Sequence, residues 1–106
     1  VGRVGAEVSL EQGRLAAKIC TMRALAVLTQ QLGDLESIER VLRINVYVRS
    51  AEDFTQQSEV ADAASEVLYG VFAEAGVHTR TSVGVYQLPK GAAVEVDMIV
   101  ALKAAG

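Results

Sequence analysis

Arg80 and Glu95 are the residues with the most pointed chemistry, and both lie in the stretch TRTSVGVYQLPKGAAVEVDMIVAL, from Thr79 to Leu102. Arg80 carries a planar guanidinium that stays charged and can hold a carboxylate in two parallel hydrogen bonds. A lysine supplies the charge without that orientation. Glu95 can act as a base, or orient a water, if burial raises its pKa towards neutrality. In the first run Arg80, Ser82, Gly84 and Tyr86 alternate with Val83 and Val85. In the second, Glu95 and Asp97 alternate with Val94, Val96, Met98, Val100 and Leu102. Period-two runs on both sides of Leu88-Pro89-Lys90-Gly91 predict an antiparallel hairpin with a longer loop. If it turns near Lys90, Arg80 faces position 100 and Glu95 lies about five residues along, roughly 17 Å away at ~3.3 Å per residue. One hairpin then cannot bring both groups onto one small ligand. Either the register differs or a cleft between subunits joins them.

The elements that must position these groups are legible in turn. Ser9-Leu10-Glu11-Gln12 fits a capping box that opens a helix. Leu15, Ile19, Met22 and Ala26 form its apolar stripe, with Leu25, Leu28 and Leu32 beside it, and Gly33 sits where a left-handed residue ends a helix. Cys20, near that stripe, reads as a small buried hydrophobe. From Ile38 to Arg49 the period becomes two: Leu42, Ile44, Val46 and Val48 alternate with Arg43, Asn45, Tyr47 and Arg49, a half-buried strand. Ser50 to Asp53 is a turn. A second helix follows with Val60, Ala64, Val67, Leu68, Val71 and Phe72 inward and Gly76 as its stop. The order is αβαββ, an α+β class with both helices on one face of the sheet and a right-handed parallel crossover between the first two strands. The other face is expected to carry Arg43, Asn45, Tyr47, Ser82 and Tyr86, too mixed for a core and too apolar for open water.

Composition narrows the partners. The 106 residues suit one domain, 1–106, with a single core. They are 51% hydrophobic, mostly Ala and Val, with 5% aromatics and a mean hydropathy of +0.28. A small domain this apolar often buries some of its surface against copies of itself, so a homo-oligomer is expected. No window approaches the ~18 apolar residues of a membrane helix, and no leader-like segment opens the chain, so the expected setting is cytoplasmic. Val1 is no initiator methionine, so residues before it are expected to exist. A net charge of −3, with ten basic residues scattered singly, argues against a nucleic-acid surface. One Cys and one His exclude a disulfide framework and argue against a metal site.

The run from His78 through Thr79, Arg80, Thr81, Ser82, Val83, Gly84 and Val85, then Leu88-Pro89, then Val94-Glu95-Val96-Asp97-Met98-Ile99, resembles the C-terminal signature of the Rid family. These are the YjgF-like, or L-PSP endoribonuclease-like, reactive-intermediate deaminases. Leu32-Gly33-Asp34-Leu35, Asp53-Phe54 and the Gly2-Arg3-Val4-Gly5 segment add to the resemblance, which spans essentially the whole chain. It implies a fold like the trimeric chorismate mutase type, with three copies closing a barrel, and a further N-terminal hairpin. It implies clefts between subunits that need no cofactor. There the residue matching Arg80 binds a substrate carboxylate, and the residue matching Glu95 places the water that attacks an imine carbon, giving a keto acid and ammonia. Asp62 stands where the deaminases usually have Asn, and a carboxylate there repels an anionic substrate unless protonated or paired. Ser82 stands where many members have Cys and can still hydrogen-bond a ligand. Tyr86 and Tyr47 are expected at the cleft or the subunit interface, and His78 in a turn. The alternative is a non-catalytic trimer that binds a small carboxylate. Ribonuclease activity ranks last, and chorismate mutase activity also fits such a fold.

Overall fold

The computed structural model describes residues 2–104. Helix α1 (Leu10–Leu32) leads to strand β1 (Ile38–Arg49), helix α2 (Gln57–Phe72), strand β2 (Thr79–Val85) and strand β3 (Val94–Leu102), with short 3-10 turns at Ala73–Gly76 and Pro89–Gly91. The αβαββ order is as expected, and β1 has the expected bounds. The capping box is complete: Ser9 Oγ accepts from the Gln12 amide, and Gln12 Oε1 accepts from the Ser9 amide. Gly33 ends α1 at φ 90°, and its amide donates to the Thr29 carbonyl.

The strands do not form the expected hairpin. The sheet order is β2-β1-β3, with β1 between the other two. β1 pairs parallel with β2 and antiparallel with β3. Neighbouring runs in sequence thus become opposite edges, because β1 takes the centre. Its Val41, Ile44, Val46 and Val48 are fully buried, more apolar cover than either flanking strand offers. The link from β2 to β3 crosses the end of β1, where the Arg49 amide donates to the Ala93 carbonyl and the Ser50 amide to the Val85 carbonyl. Lys90 and Gly91, both at positive φ, turn that link.

One core holds Ala17 and Leu25 of α1, Val60, Ala61, Ala64 and Leu68 of α2, and the buried side of β1. Both helices therefore cover one face of the sheet. α1 meets this core through small residues, and the expected stripe is displaced. Gly13, Ala17, Thr21 and Leu25 are buried, whereas Leu15, Ile19 and Met22 are 57%, 37% and 53% exposed. A side chain at Gly13 would press within 3.1 Å of Val4 and 3.6 Å of Val60, so close approach selects the small face. In α2 the expected inward residues are buried or half-buried, except Val71, which is exposed.

The uncovered face carries Arg43, Asn45 and Tyr47 with Val83 and Val85 of β2 and Glu95, Asp97 and Ile99 of β3. Arg43 donates to the hydroxyls of Thr79 and Thr81. Among the described residues, no helix is long and apolar enough to cross a membrane.

Candidate functional site

Register decides which groups meet. In β2, Arg80 pairs with Ile44, Ser82 with Val46 and Gly84 with Val48. Paired residues share a face, and those β1 side chains are buried under the helices. Arg80, Ser82 and Gly84 thus look towards α2. Ser82 was expected on the uncovered face; pairing with β1 in this register puts it on the other, since a one-residue change of register exchanges faces.

Arg80 is tethered by one nitrogen. Its Nη1 donates to Asp62 Oδ1 at 2.9 Å and to Ser65 Oγ at 3.1 Å. Asp62 and Ser65 are three apart on α2 and so occupy one helix face. Ser65 is 3% exposed, and its Oγ lies 3.0 Å from His78 Nε2. His78 Nδ1 lies 2.5 Å from the Gly76 carbonyl. A carbonyl only accepts, so in the neutral ring Nδ1 carries the proton and Nε2 accepts from the Ser65 hydroxyl. Ser65 then keeps its lone pairs for Arg80. Tyr69 stacks on His78, with ring centroids 5.5 Å apart. His78 lies in the short connection between the Ala73–Gly76 turn and β2, and its ring also orients the hydroxyl that holds Arg80. Nε and Nη2 of Arg80, the edge that grips carboxylates side-on, make no hydrogen bond among the described residues.

Beyond Ser82 the same edge opens into a groove of about 550 Å³, lined by Ser50, Phe54, Gln57, Ser82, Gly84 and Tyr86 among others. Arg80 stands past its end, with Ser82 between. A side chain at Gly84 would enter this space, 2.9 Å from Gln57 Nε2 and 3.1 Å from Ser50 Oγ. Tyr86 is 78% exposed, and the Arg3 guanidinium lies 4.4 Å above its ring. As an edge strand, β2 also leaves its outer backbone groups without a strand partner.

Glu95 is elsewhere. It pairs with Tyr47, so it belongs to the uncovered face, on the strand at the other edge. The registers place it about 10 Å from Arg80 along the strands and about 10 Å across two strand spacings, with the sheet between them. Within one chain the two groups do not meet. Beside Glu95, Asp97 accepts from Asn45 Nδ2 at 2.8 Å and from the Tyr47 hydroxyl at 3.2 Å. Burial, then the hydrogen bond to Asp97, pushes the Tyr47 phenol above its usual range.

Glu95 also rims a shallow groove between β3 and α1 that Cys20, Arg23 and Val27 help line. The Cys20 thiol donates to the Val94 carbonyl at 3.5 Å. Burial raises its pKa most, Arg23 opposes this, and Glu95 adds to it. The thiol is therefore protonated at neutral pH and a poor nucleophile. Iodoacetamide is expected to label native Cys20 about tenfold more slowly at pH 7.5 than the unfolded chain, with a midpoint of the rate against pH above the ~8.5 of free cysteine. Equal rates in the native and unfolded chain would contradict this. No group of His, Cys, Asp and Glu among the described residues could hold a metal ion.

Ser65 and His78 are neighbours of Arg80 that sequence reasoning did not connect to it. A signal existed: a hydroxyl three places after Asp62, in the small-residue run Ala61 to Ser65.

The architecture agrees with comparisons to known proteins. The profile of the family described as "YjgF/chorismate mutase-like, putative endoribonuclease" matches residues 1–101. The chain belongs to this family. Protein TCP17 of Trypanosoma cruzi is 45% identical over 102 residues, which make up 95% of this chain and 64% of TCP17. Atu1372, an Agrobacterium tumefaciens protein of unknown function, superposes with a TM-score of 0.93 at 38% identity, over 95% of this chain and 65% of that one. A Shewanella oneidensis protein described as a "putative endoribonuclease" gives a TM-score of 0.92 at 27% identity, over 95% of this chain and 67% of its own. The chain thus spans about two thirds of the length of these relatives.

Proposed function

We propose that this protein hydrolyses 2-imino acids to 2-keto acids and ammonia at a site centred on Arg80 and completed by a second copy of the chain. The observation that carries this reading is the state of Arg80. Its Nη1 is fixed to Asp62 and Ser65, while the Nε–Nη2 edge is left for a carboxylate. A guanidinium fixed before binding gives up little freedom when it grips the ligand. Ser82, and the groove that begins beside it, offer a hydroxyl and space for the substrate's side chain.

The chemistry is balanced and needs no cofactor. Water adds to the carbon of the N-protonated imine, and a carboxylate takes one of its protons and passes it to nitrogen. The C–N bond then breaks with loss of ammonia, and the carbonyl forms as the remaining hydroxyl proton passes through the carboxylate to the departing ammonia, giving ammonium. Glu95 is the carboxylate assigned to this step, supplied by a neighbouring copy because Glu95 of the same chain lies behind the sheet. Support for such packing comes from the uncovered face, where Val83, beside Tyr47, and Ile99, beside Arg43, are 39% and 55% exposed, and from the open edges of β2 and β3. A trimer, as expected from the resemblance, supplies these contacts by symmetry. RNA cleavage, which the descriptions of the family and of one structural relative carry, has less support: the net charge is −3, and phosphate binding needs clustered cations.

The test is direct. 2-Imino acids made in place by an amino-acid oxidase are trapped by semicarbazide, and the protein is expected to lower the trapped fraction in proportion to its concentration. Trapping that is unchanged at micromolar protein would refute the hydrolase reading.

A further inference from the structure

We infer that Asp62 is a specificity residue: it makes the Arg80 site prefer a zwitterion, a carboxylate with a protonated nitrogen beside it, over a plain anion of the same skeleton. The inference rests on the reading of Arg80 as the carboxylate anchor and adds the charge class of the ligand. Asp62 Oδ1 sits on the guanidinium at 2.9 Å from Nη1. A carboxylate gripping the Nε–Nη2 edge of that guanidinium therefore arrives within roughly 5–7 Å of a second carboxylate. At that range like charges weaken the binding of an anion, and a cation on the same ligand reverses the sign. Asp62 Oδ2 makes no hydrogen bond among the described residues, so it is available to a ligand N–H.

A 2-imino acid protonated on nitrogen is such a zwitterion, and the keto acid it becomes is a plain anion. Asp62 thus favours substrate over product and helps the product leave. Asn at this position would keep the shape and lose the discrimination. Removing the Asp62 charge does not free Arg80, because Ser65 Oγ still accepts from the same nitrogen at 3.1 Å.

Stable probes of equal size test this: L-alanine for the zwitterion and pyruvate for the anion, titrated by calorimetry into the wild-type protein and into Asp62→Asn and Arg80→Ala variants. The wild type is expected to bind alanine at least tenfold more tightly than pyruvate. Asp62→Asn is expected to bind pyruvate about tenfold more tightly than the wild type does and to lose the preference. Arg80→Ala is expected to bind neither. An Asp62→Asn protein that keeps the wild-type ratio, while Arg80→Ala binds neither probe, overturns the role of Asp62 and leaves Arg80 as the anchor. Binding that survives in Arg80→Ala, or no binding by any variant, overturns the anchor and the specificity together.

Discussion

Arg80→Ala is expected to lower kcat/KM for 2-imino acid hydrolysis by about 100-fold, with far-UV circular dichroism unchanged. A side-on guanidinium–carboxylate pair on a half-buried arginine contributes roughly 3 kcal/mol, and each 1.36 kcal/mol is a factor of about ten in rate. Because the carboxylate is gripped in ground and transition states alike, most of the loss should appear in KM. The fold should tolerate the change. The Arg80 side chain is 26% exposed and its Asp62 partner 52%, and ion pairs this open contribute about 0–1 kcal/mol. Ser65 keeps His78 as its partner. Arg80→Lys restores the charge without the fork, so it should recover less than about a tenth of the lost activity. A lysine variant with wild-type KM would show that charge alone suffices.

Gly76→Ala is expected to destabilise the protein by about 3 kcal/mol or more, a fall in melting temperature of roughly 12–24 °C for a chain of this size. A methyl group on Gly76 would lie 2.4 Å from the Leu68 carbonyl oxygen and 2.9 Å from its carbon. Both are backbone atoms of a helix whose Leu68 side chain is fully buried, so no side-chain rotation relieves the clash. The Gly76 carbonyl is also the partner of His78 Nδ1. The same substitution should therefore loosen Arg80 and raise KM even where the protein remains folded. Gly70→Ala is the control: nothing lies within 4 Å of an added methyl there, and in a helix Ala is favoured over Gly by about 1 kcal/mol. Urea denaturation should separate the two by sign. Similar effects from both would remove the steric account of Gly76.

Much of the fold was legible because local rules decide it. The Ser9 cap, the Gly33 stop and the period-two run of β1 each follow from groups within a few residues of one another. The sheet order was not, because two alternating runs around Pro89 look the same whether they pair with each other or straddle a third strand. The buried side of α1 was misjudged for a related reason. Leu15, Ile19 and Met22 outweigh Gly13, Ala17 and Thr21 in any hydropathy count, yet only the small side lets the helix approach Val4 and Val60. Arg80 and Asp62 were legible as chemistry, and their ion pair became visible once β2 was placed beside β1 under α2. Ser65 and His78 were missed because neither residue is unusual until a parallel register brings the start of β2 against α2.

Arg80 and Glu95 of one chain cannot serve the same site, since they lie at opposite edges and on opposite faces of the sheet. The most direct test is complementation between inactive variants. Arg80→Ala and Glu95→Gln chains, each expected to be nearly inactive alone, are co-expressed so that they share oligomers, and imine hydrolysis is measured. If each site draws Arg80 from one copy and Glu95 from another, random mixing leaves about a quarter of the sites intact and restores about that share of wild-type activity. If both groups act within one chain, every site stays defective, and mixed oligomers as inactive as their parents would contradict the account.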